Sequence, residues 1–440
     1  MNSKSTLIRA RWLIPNPSDG RVLEDYGVLC IDGCIAWIGP WSERAPAPPK
    51  AEQVELTGHA LCPGFVNSHT HAPMSLMRGM ADDLPLMSWL EHHIWPAEAR
   101  WVSESFVRAG ARLAMAEMIR SGTTAFSDMY FFPDVVAAEA ERIGMRATVG
   151  LIAIDLPTVW AQSASEYIAK GCEVQQFWQG HPLVSTAWAP HAPYTTSDGT
   201  LARIGRLAEE HDSRIHIHLH ETRHEVEEAR SKHGRRPLAR LDALGMVNPR
   251  LIAVHMTQLE SDEITLLANT GAHVVHCPES NLKLASGFCP VATLMTEGVS
   301  CALGTDGAAS NNDLDMMGEM RTAALLAKGV SGDAAALPAP QALDMATRGG
   351  ARALGLDGKV GVLQMGMAAD MVAIDLAGLS TLPVYNAISQ LVYAAGRDQV
   401  TDVWIAGRRV LHTGVLTTID QAEVAADARQ WGLKLAPEKG

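Results

Sequence analysis

No stretch of the 440-residue chain approaches eighteen uninterrupted apolar residues, which speaks against a membrane-spanning helix. The amino-terminal MNSKSTLIRARWLIPNP carries basic residues but lacks an apolar core of signal-peptide length. Positive charge is in deficit: 36 Lys and Arg stand against 49 Asp and Glu, a formal net charge of -13 at pH 7. An acidic chain without a long Lys/Arg run is a poor partner for nucleic-acid phosphates or for an anionic membrane. The seven cysteines (Cys30, Cys34, Cys62, Cys172, Cys277, Cys289, Cys301) are odd in number, scattered and free of any CxxC pair. Reduced thiols in a cytoplasmic protein fit that usage. No GxGxxG opens a helix after a strand and no GxxxxGKS/T occurs, which argues against dinucleotide and nucleoside-triphosphate binding.

What is present is apolar material in a definite order. Hydrophobic residues make up 47% of the chain, enough for one large domain or two. Both ends carry short β signals: LIRARWLI and VLCIDGCIAWIG, the latter around an Asp-Gly turn, then ADMVAIDL and DVWIAGRRVLHTG near the other end. These ends are expected to pair into one small β module. Between them, apolar runs (TTAFSDM, MRATVGLIAI, LVSTAWAPH, RIHIHLHE, LIAVHMT, HVVHCPE, CALGTDG) alternate with helical spacings such as VVAAEAERIG and GTLARIGRLAEEHDS. Strand and helix alternating over about 300 residues predicts an α/β fold with parallel strands, and about eight units fit a closed (β/α)8 barrel.

The strand ends carry the chemistry. In LCPGFVNSHTHAPM, His69 and His71 are two apart after an apolar run, and strand geometry points such residues to one side. His191 ends LVSTAWAP, His255 ends LIAV, Asp306 ends CALGT, and RIHIHLHE holds His216, His218, His220 and Glu221. Barrel strands meet at one mouth, where active sites sit. Histidines and a carboxylate from five strands are poor packing material there, because buried polar groups cost free energy unless paired. They are good divalent-metal ligands. Spacing alone leaves the third ligand among His216, His218 and His220. His218 with Glu221 three residues on is the better pair, because a metal-bound water needs a base beside it. His216 and His220 are then expected to support or pack. LVSTAWAPH has no lysine to bridge two metals, so one metal is expected.

The pieces PGFVNSHTHAPMSLMRGMADDLPLMSWL, SDMYFFP, APHAPYTT, IHLHETRHE, AVHMTQL, HCPESNLKL and LGTDGAASNNDLDMMGEMR resemble the amidohydrolase superfamily. They are most similar to its branch of 5′-methylthioadenosine and S-adenosylhomocysteine deaminases. The likeness spans about residues 58–325 in the family's order, and GVLQMGMAADMVAIDL continues it toward the other end. It implies a barrel with a composite β-sandwich, divided as 1–60 for the first sandwich part, 61–364 for the barrel, and 365–440 for the second part with a terminal helix.

The resemblance also implies roles. His69, His71, His218 and Asp306 would hold one Zn²⁺, with Fe²⁺ or Mn²⁺ as substitutes in the same ligands. Glu221 would move a proton from water to a purine ring nitrogen, His255 would hydrogen-bond the attacking or leaving group, and Asp306 would also orient the attacking oxygen. Trp89 would pack on purine or sugar, Glu98 would accept from ribose hydroxyls, and His191 would touch the substrate near the ribose. A homo-oligomer is implied too. One departure matters: relatives that take adenosylhomocysteine use arginines in the segment that here reads GMRATVGLIAIDLPTVWAQSASEYIAK, with nothing basic between Arg146 and Lys170. A carboxylate tail would lack its partner, so methylthioadenosine is the expected substrate, with LMRGM offering Met and Leu for a methylthio group. The competing readings are a free-base or triazine hydrolase, which would have no ribose for Glu98, and a non-catalytic scaffold, which would be expected to lose ligands.

Overall fold

The computed structural model describes residues 5–43 and 45–436. The outermost residues of the two expected sandwich parts, 1–4 and 437–440, lie outside the described residues. Two compact units emerge. One takes in the chain up to Asn67 with Ala116–Ala125 and Asp315–Asp420; the other takes in Ser68–Met115, Phe126–Leu314 and the chain from Gln421.

The first unit is built on strands β1 (Ser5–Leu13), β2 (Leu23–Ile31), β3 (Cys34–Pro40) and β4 (Glu52–Pro63). The expected Asp-Gly turn joins β2 to β3: Asp32 and Gly33 both have positive φ, 49° and 86°. That pair of left-handed residues matches the right-handed twist of a hairpin. After the barrel strands β5 (Phe65–Thr70), β6 (Thr123–Tyr130), β7 (Arg146–Ala153), β8 (Val184–Pro190), β9 (Arg214–Leu219), β10 (Leu251–His255), β11 (His273–His276) and β12 (Ser300–Leu303) come β13 (Met371–Asp375), β14 (Val400–Ile405), β15 (Arg408–His412) and β16 (Val415–Leu416). The two chain ends do combine: one mixed sheet runs β16-β15-β14-β13-β4-β1-β2-β3. Its core gathers Ile8, Leu13, Val28, Leu61, Met371 and Trp404.

The barrel strands run β5 to β12 in sequence order, and each neighbouring pair from β7 to β12 is parallel. Every residue of β6 and β7 is buried, as strands covered on both faces require. Helices such as Pro133–Ile143, Ala164–Trp178 and Asp198–Glu210 connect the strands. Ser163 and Ser197 cap the latter two by accepting from the backbone amides of Glu166 and Thr200, which satisfies donors the first helical turn leaves open. The Asp306 amide donates to the His69 carbonyl at 3.0 Å, linking the ends of the first and last barrel strands. A Cβ on Gly304 would meet the His69 amide nitrogen at 2.7 Å, so only glycine allows this approach. Among the described residues no helix is long and apolar enough to cross a membrane.

Candidate active site

His69 sits fully buried within β5, and His71 follows the strand's end. Asp128 on β6 fixes the chain around His71: its Oδ1 accepts from Thr70 Oγ1 at 3.0 Å and from the Ala72 amide at 2.6 Å. The three histidines of RIHIHLHE separate. His218 reaches the mouth. His216 lies deeper, with Nε2 at 2.9 Å from His69 Nδ1 and Nδ1 at 3.2 Å from Ser127 Oγ. His220 lies past the end of β9 at φ 52° and accepts from the Leu238 amide at 3.0 Å.

The hydrogen bonds decide where the imidazole protons are. His71 Nδ1 is 2.6 Å from the Met129 carbonyl oxygen, and His218 Nδ1 is 2.7 Å from that of His191. A carbonyl only accepts, so both Nδ1 atoms donate. In the neutral rings both Nε2 atoms are therefore lone pairs, and they face each other at 3.2 Å. If His69 Nδ1 donates to His216, His69 Nε2 is a third lone pair, and it is buried without a hydrogen-bond partner. Asp306 Oδ1 stands 3.3 Å from His69 Nε2 and 3.2 Å from His71 Nε2. One atom from each of His69, His71, His218 and Asp306 lies within 4.8 Å of the others. Leaving such buried groups unsatisfied costs on the order of 1–3 kcal/mol each. One divalent cation satisfies all four, and a three-nitrogen, one-oxygen set suits zinc.

Protonation supports the fit. Burial, then the neighbouring His69, holds His218 well below its ordinary value, so its ring stays neutral. Burial alone would raise Asp306, but contacts with His69 and His71 overcome it and hold the carboxyl well below its usual range. Its Oδ2 accepts from Ser280 Oγ at 2.6 Å and Ser310 Oγ at 2.8 Å.

Glu221 follows β9 and is buried. Its turn is pinned by Glu225, which accepts from the His220 and Glu221 amides at 3.0 and 2.7 Å. Burial, then the Asp306 and Glu225 carboxylates, pushes the Glu221 carboxyl well above its usual range. That is what a proton carrier working near neutral pH needs. His255 Nε2 lies 3.8 Å from Glu221 Oε2, and Asn281 Nδ2 lies 3.0 Å from His255 Nδ1. Burial lowers His255 to about 3.

These groups open onto a cavity of about 620 Å³. His71, His218, Asp306, Glu221, His255, His191, Trp89 and Glu98 all line it, and His69, the fourth member of the cluster, is the one sequence-predicted site residue that does not. His191 Nδ1 is 2.9 Å from Thr195 Oγ1, which donates to the Ala192 carbonyl. The His191 ring therefore donates through Nδ1 and keeps an acceptor at Nε2. Trp89 and Glu98 lie on a helical stretch, Leu86–Trp101, interrupted by a π turn at Leu90–Ile94. An extra residue in the turn re-aims side chains, and Leu90, Ile94, Trp95 and Glu98 all line the cavity. The LMRGM residues do not line it; Met74 and Met129 do. Sequence reasoning assigned no role to Ser280, Ser310, Asn281, Glu225, Trp95 or Tyr130. Tyr130 was findable as the polar end of β6.

A barrel presenting a four-residue metal cluster and a buried carboxyl at its strand ends defines a metal-dependent hydrolase of the β/α-barrel class. The chain belongs to the amidohydrolase family, which it matches over residues 60–410. It is 48% identical over 430 residues to a 5-methylthioadenosine/S-adenosylhomocysteine deaminase of Teredinibacter turnerae, covering 98% of this chain and 97% of that one. It is 46% identical to the protein so named in Saccharophagus degradans, again covering 98% and 97%. Among solved structures, an adenosine deaminase from Xanthomonas campestris with bound zinc superposes with a TM-score of 0.96 at 51% identity, covering 98% of each chain.

Proposed function

We propose that the protein is a zinc-dependent deaminase of an adenosine-type nucleoside, converting 5′-methylthioadenosine to 5′-methylthioinosine and ammonia. The carrying observation is the cluster of His69, His71, His218 and Asp306 opening onto one cavity with Glu221 in its wall. Bound there, zinc would supply a water acidified to about neutral pKa. The chain's residues would do the rest. Glu221, kept protonatable by burial, passes a proton to the ring nitrogen beside the amino-bearing carbon. His255 hydrogen-bonds the attacking or departing group. Asp306, held by Ser280 and Ser310, keeps its other oxygen aimed at the cluster and orients the attacking oxygen. Trp89 covers the purine or sugar, Glu98 accepts from ribose hydroxyls, and His191 touches the substrate near the ribose.

The 5′ end of the substrate is read from the wall after β7. Ile154, Leu156, Pro157 and Val159 line the cavity there. Arg146 donates from the start of β7 to the Pro182 carbonyl at 2.9 Å, and Lys170 pairs with Glu166 at 2.9 Å. Among the described residues no lysine or arginine lines the cavity. That supports a neutral thioether tail over an amino-acid tail, whose carboxylate needs a cationic partner. A cytoplasmic setting and a homo-oligomer belong to the same proposal; the scattered cysteine usage of the sequence supports the first.

The test is ammonia release and the adenine-to-hypoxanthine ultraviolet shift with zinc-loaded protein. Methylthioadenosine, adenosylhomocysteine, adenosine and guanine are offered, with Glu221→Gln as control. Turnover of guanine alone would move the function to the free-base reading.

A further inference from the structure

His71 and His218 have their Nδ1 atoms held by backbone carbonyl oxygens. His69 differs: its Nδ1 meets another side chain, His216 Nε2, at 2.9 Å. His216 in turn places its Nδ1 at 3.2 Å from Ser127 Oγ. His69, His216 and Ser127 are all fully buried, and His216 stands between Ile215 and Ile217 on β9. A barrel interior is ordinarily filled by branched apolar side chains, and a buried polar ring costs free energy unless it is paired. Here both ring nitrogens of His216 are paired. The order of donors along this chain has two solutions, because each neutral imidazole carries one proton and a hydroxyl can donate or accept. In the first, His69 donates through Nδ1 to His216, and His216 donates through Nδ1 to Ser127. His69 Nε2 is then a lone pair aimed at the cluster. In the second, Ser127 donates to His216 and His216 donates to His69, whose own proton then sits on Nε2, facing Asp306 Oδ1 at 3.3 Å. Only the first leaves His69 able to ligate a cation.

We propose that His216 and Ser127 form a positioning relay behind the metal site, in which Ser127 accepts from His216 and His216 accepts from His69, so that His69 presents a bare Nε2 to the cation. The inference rests on the metal reading of the cluster and not on the identity of the substrate. A histidine ligand normally donates its second nitrogen to a carboxylate, a backbone carbonyl or water, and losing such a partner costs about 10–100-fold in metal affinity.

The experiment measures zinc affinity by competition with a chromophoric chelator for wild type, His216→Leu and His216→Gln, with thermal melting of each metal-free protein as the control for folding. His216→Leu should bind zinc about 10–100-fold more weakly. His216→Gln, whose side-chain oxygen can take the place of Nε2 and accept from His69, should recover most of that loss. A ring that merely fills space would instead be replaced better by leucine than by glutamine. Wild-type affinity in His216→Leu, or no recovery in His216→Gln, would overturn the relay. If neither variant folds, the ¹⁵N shifts of the histidine rings in zinc-loaded wild type decide. The relay requires His216 protonated at Nδ1 and bare at Nε2, and the opposite tautomer overturns it. Failure of the metal reading looks different: wild type itself would hold no stoichiometric zinc, and the relay would fall with it.

Discussion

His71 and His218 turn their Nε2 atoms toward each other at 3.2 Å while each Nδ1 is held by a backbone carbonyl oxygen. Burial holds the His218 ring neutral, so its Nε2 lone pair and that of a neutral His71 repel across the gap, and a cation between them removes the repulsion. Stripping the metal with a chelator should therefore destabilise the fold as well as end activity. Native-state binding stabilises by about 4 kcal/mol at a thousandfold excess over Kd. The expected outcome is a lower Tm after chelation, restored by one equivalent of zinc per chain, with metal content and calorimetry as the readouts. Two bound equivalents would contradict the single cluster.

Glu221→Gln separates binding from chemistry. The carboxyl is buried and its pKa raised chiefly by that burial, and it is not one of the four clustered ligands. The amide keeps the shape and loses the proton transfer, which is worth about 10²–10⁴ in rate. Zinc content and substrate affinity measured by fluorescence should stay within a few-fold of wild type while kcat collapses. Loss of zinc from the variant would instead make Glu221 a ligand.

Much of this centre could be read from the chain, for a definite reason. The strand period of two places His69 and His71 on one side whatever the tertiary context, and Asp306 ends a strand that has to finish at the mouth. The same period could not choose among His216, His218 and His220, because all three share a face on paper. Depth in the barrel chose. His216 stops at the level of Ser127, and the backbone leaves the strand before His220. Ser280 and Asn281 become meaningful only through partners far away in sequence, Ser280 with Asp306 and Asn281 with His255. No local pattern encodes those meetings. The β module was legible as paired ends, but not its strand order, in which β13 from the far end lies against β4.

Glu98 should give the enzyme an acid limb. Burial pushes its carboxyl from 4.5 up to about 7, against the pull of the Tyr130 hydroxyl and His71. The ionised form accepts two hydroxyls, so kcat/KM should fall as pH drops below about 7. Glu98→Gln, weak throughout, should lack that limb. Stability moves the other way. A raised carboxyl contributes stability below its unfolded value, and that contribution is lost as pH rises through the folded one. Relative to wild type, Glu98→Gln should gain Tm between pH 5 and pH 8. A difference in Tm that does not change with pH would show that Glu98 titrates normally.

The wall after β7 should set the choice of tail. Leu156 lines the cavity and is 54% exposed, so an arginine there can reach the ligand space without burying its charge. Wild type should prefer methylthioadenosine to adenosylhomocysteine by at least about tenfold in kcat/KM, since a desolvated carboxylate without a cation forfeits about 1.5–3 kcal/mol of charge-assisted hydrogen bonding. Leu156→Arg should narrow that ratio by raising activity on adenosylhomocysteine, while Leu156→Gln, polar but neutral, should not. The gain should shrink with added salt, because an exposed pair is screened. Equal wild-type activity on both nucleosides would mean that the tail's carboxylate is met from outside the cavity wall seen here.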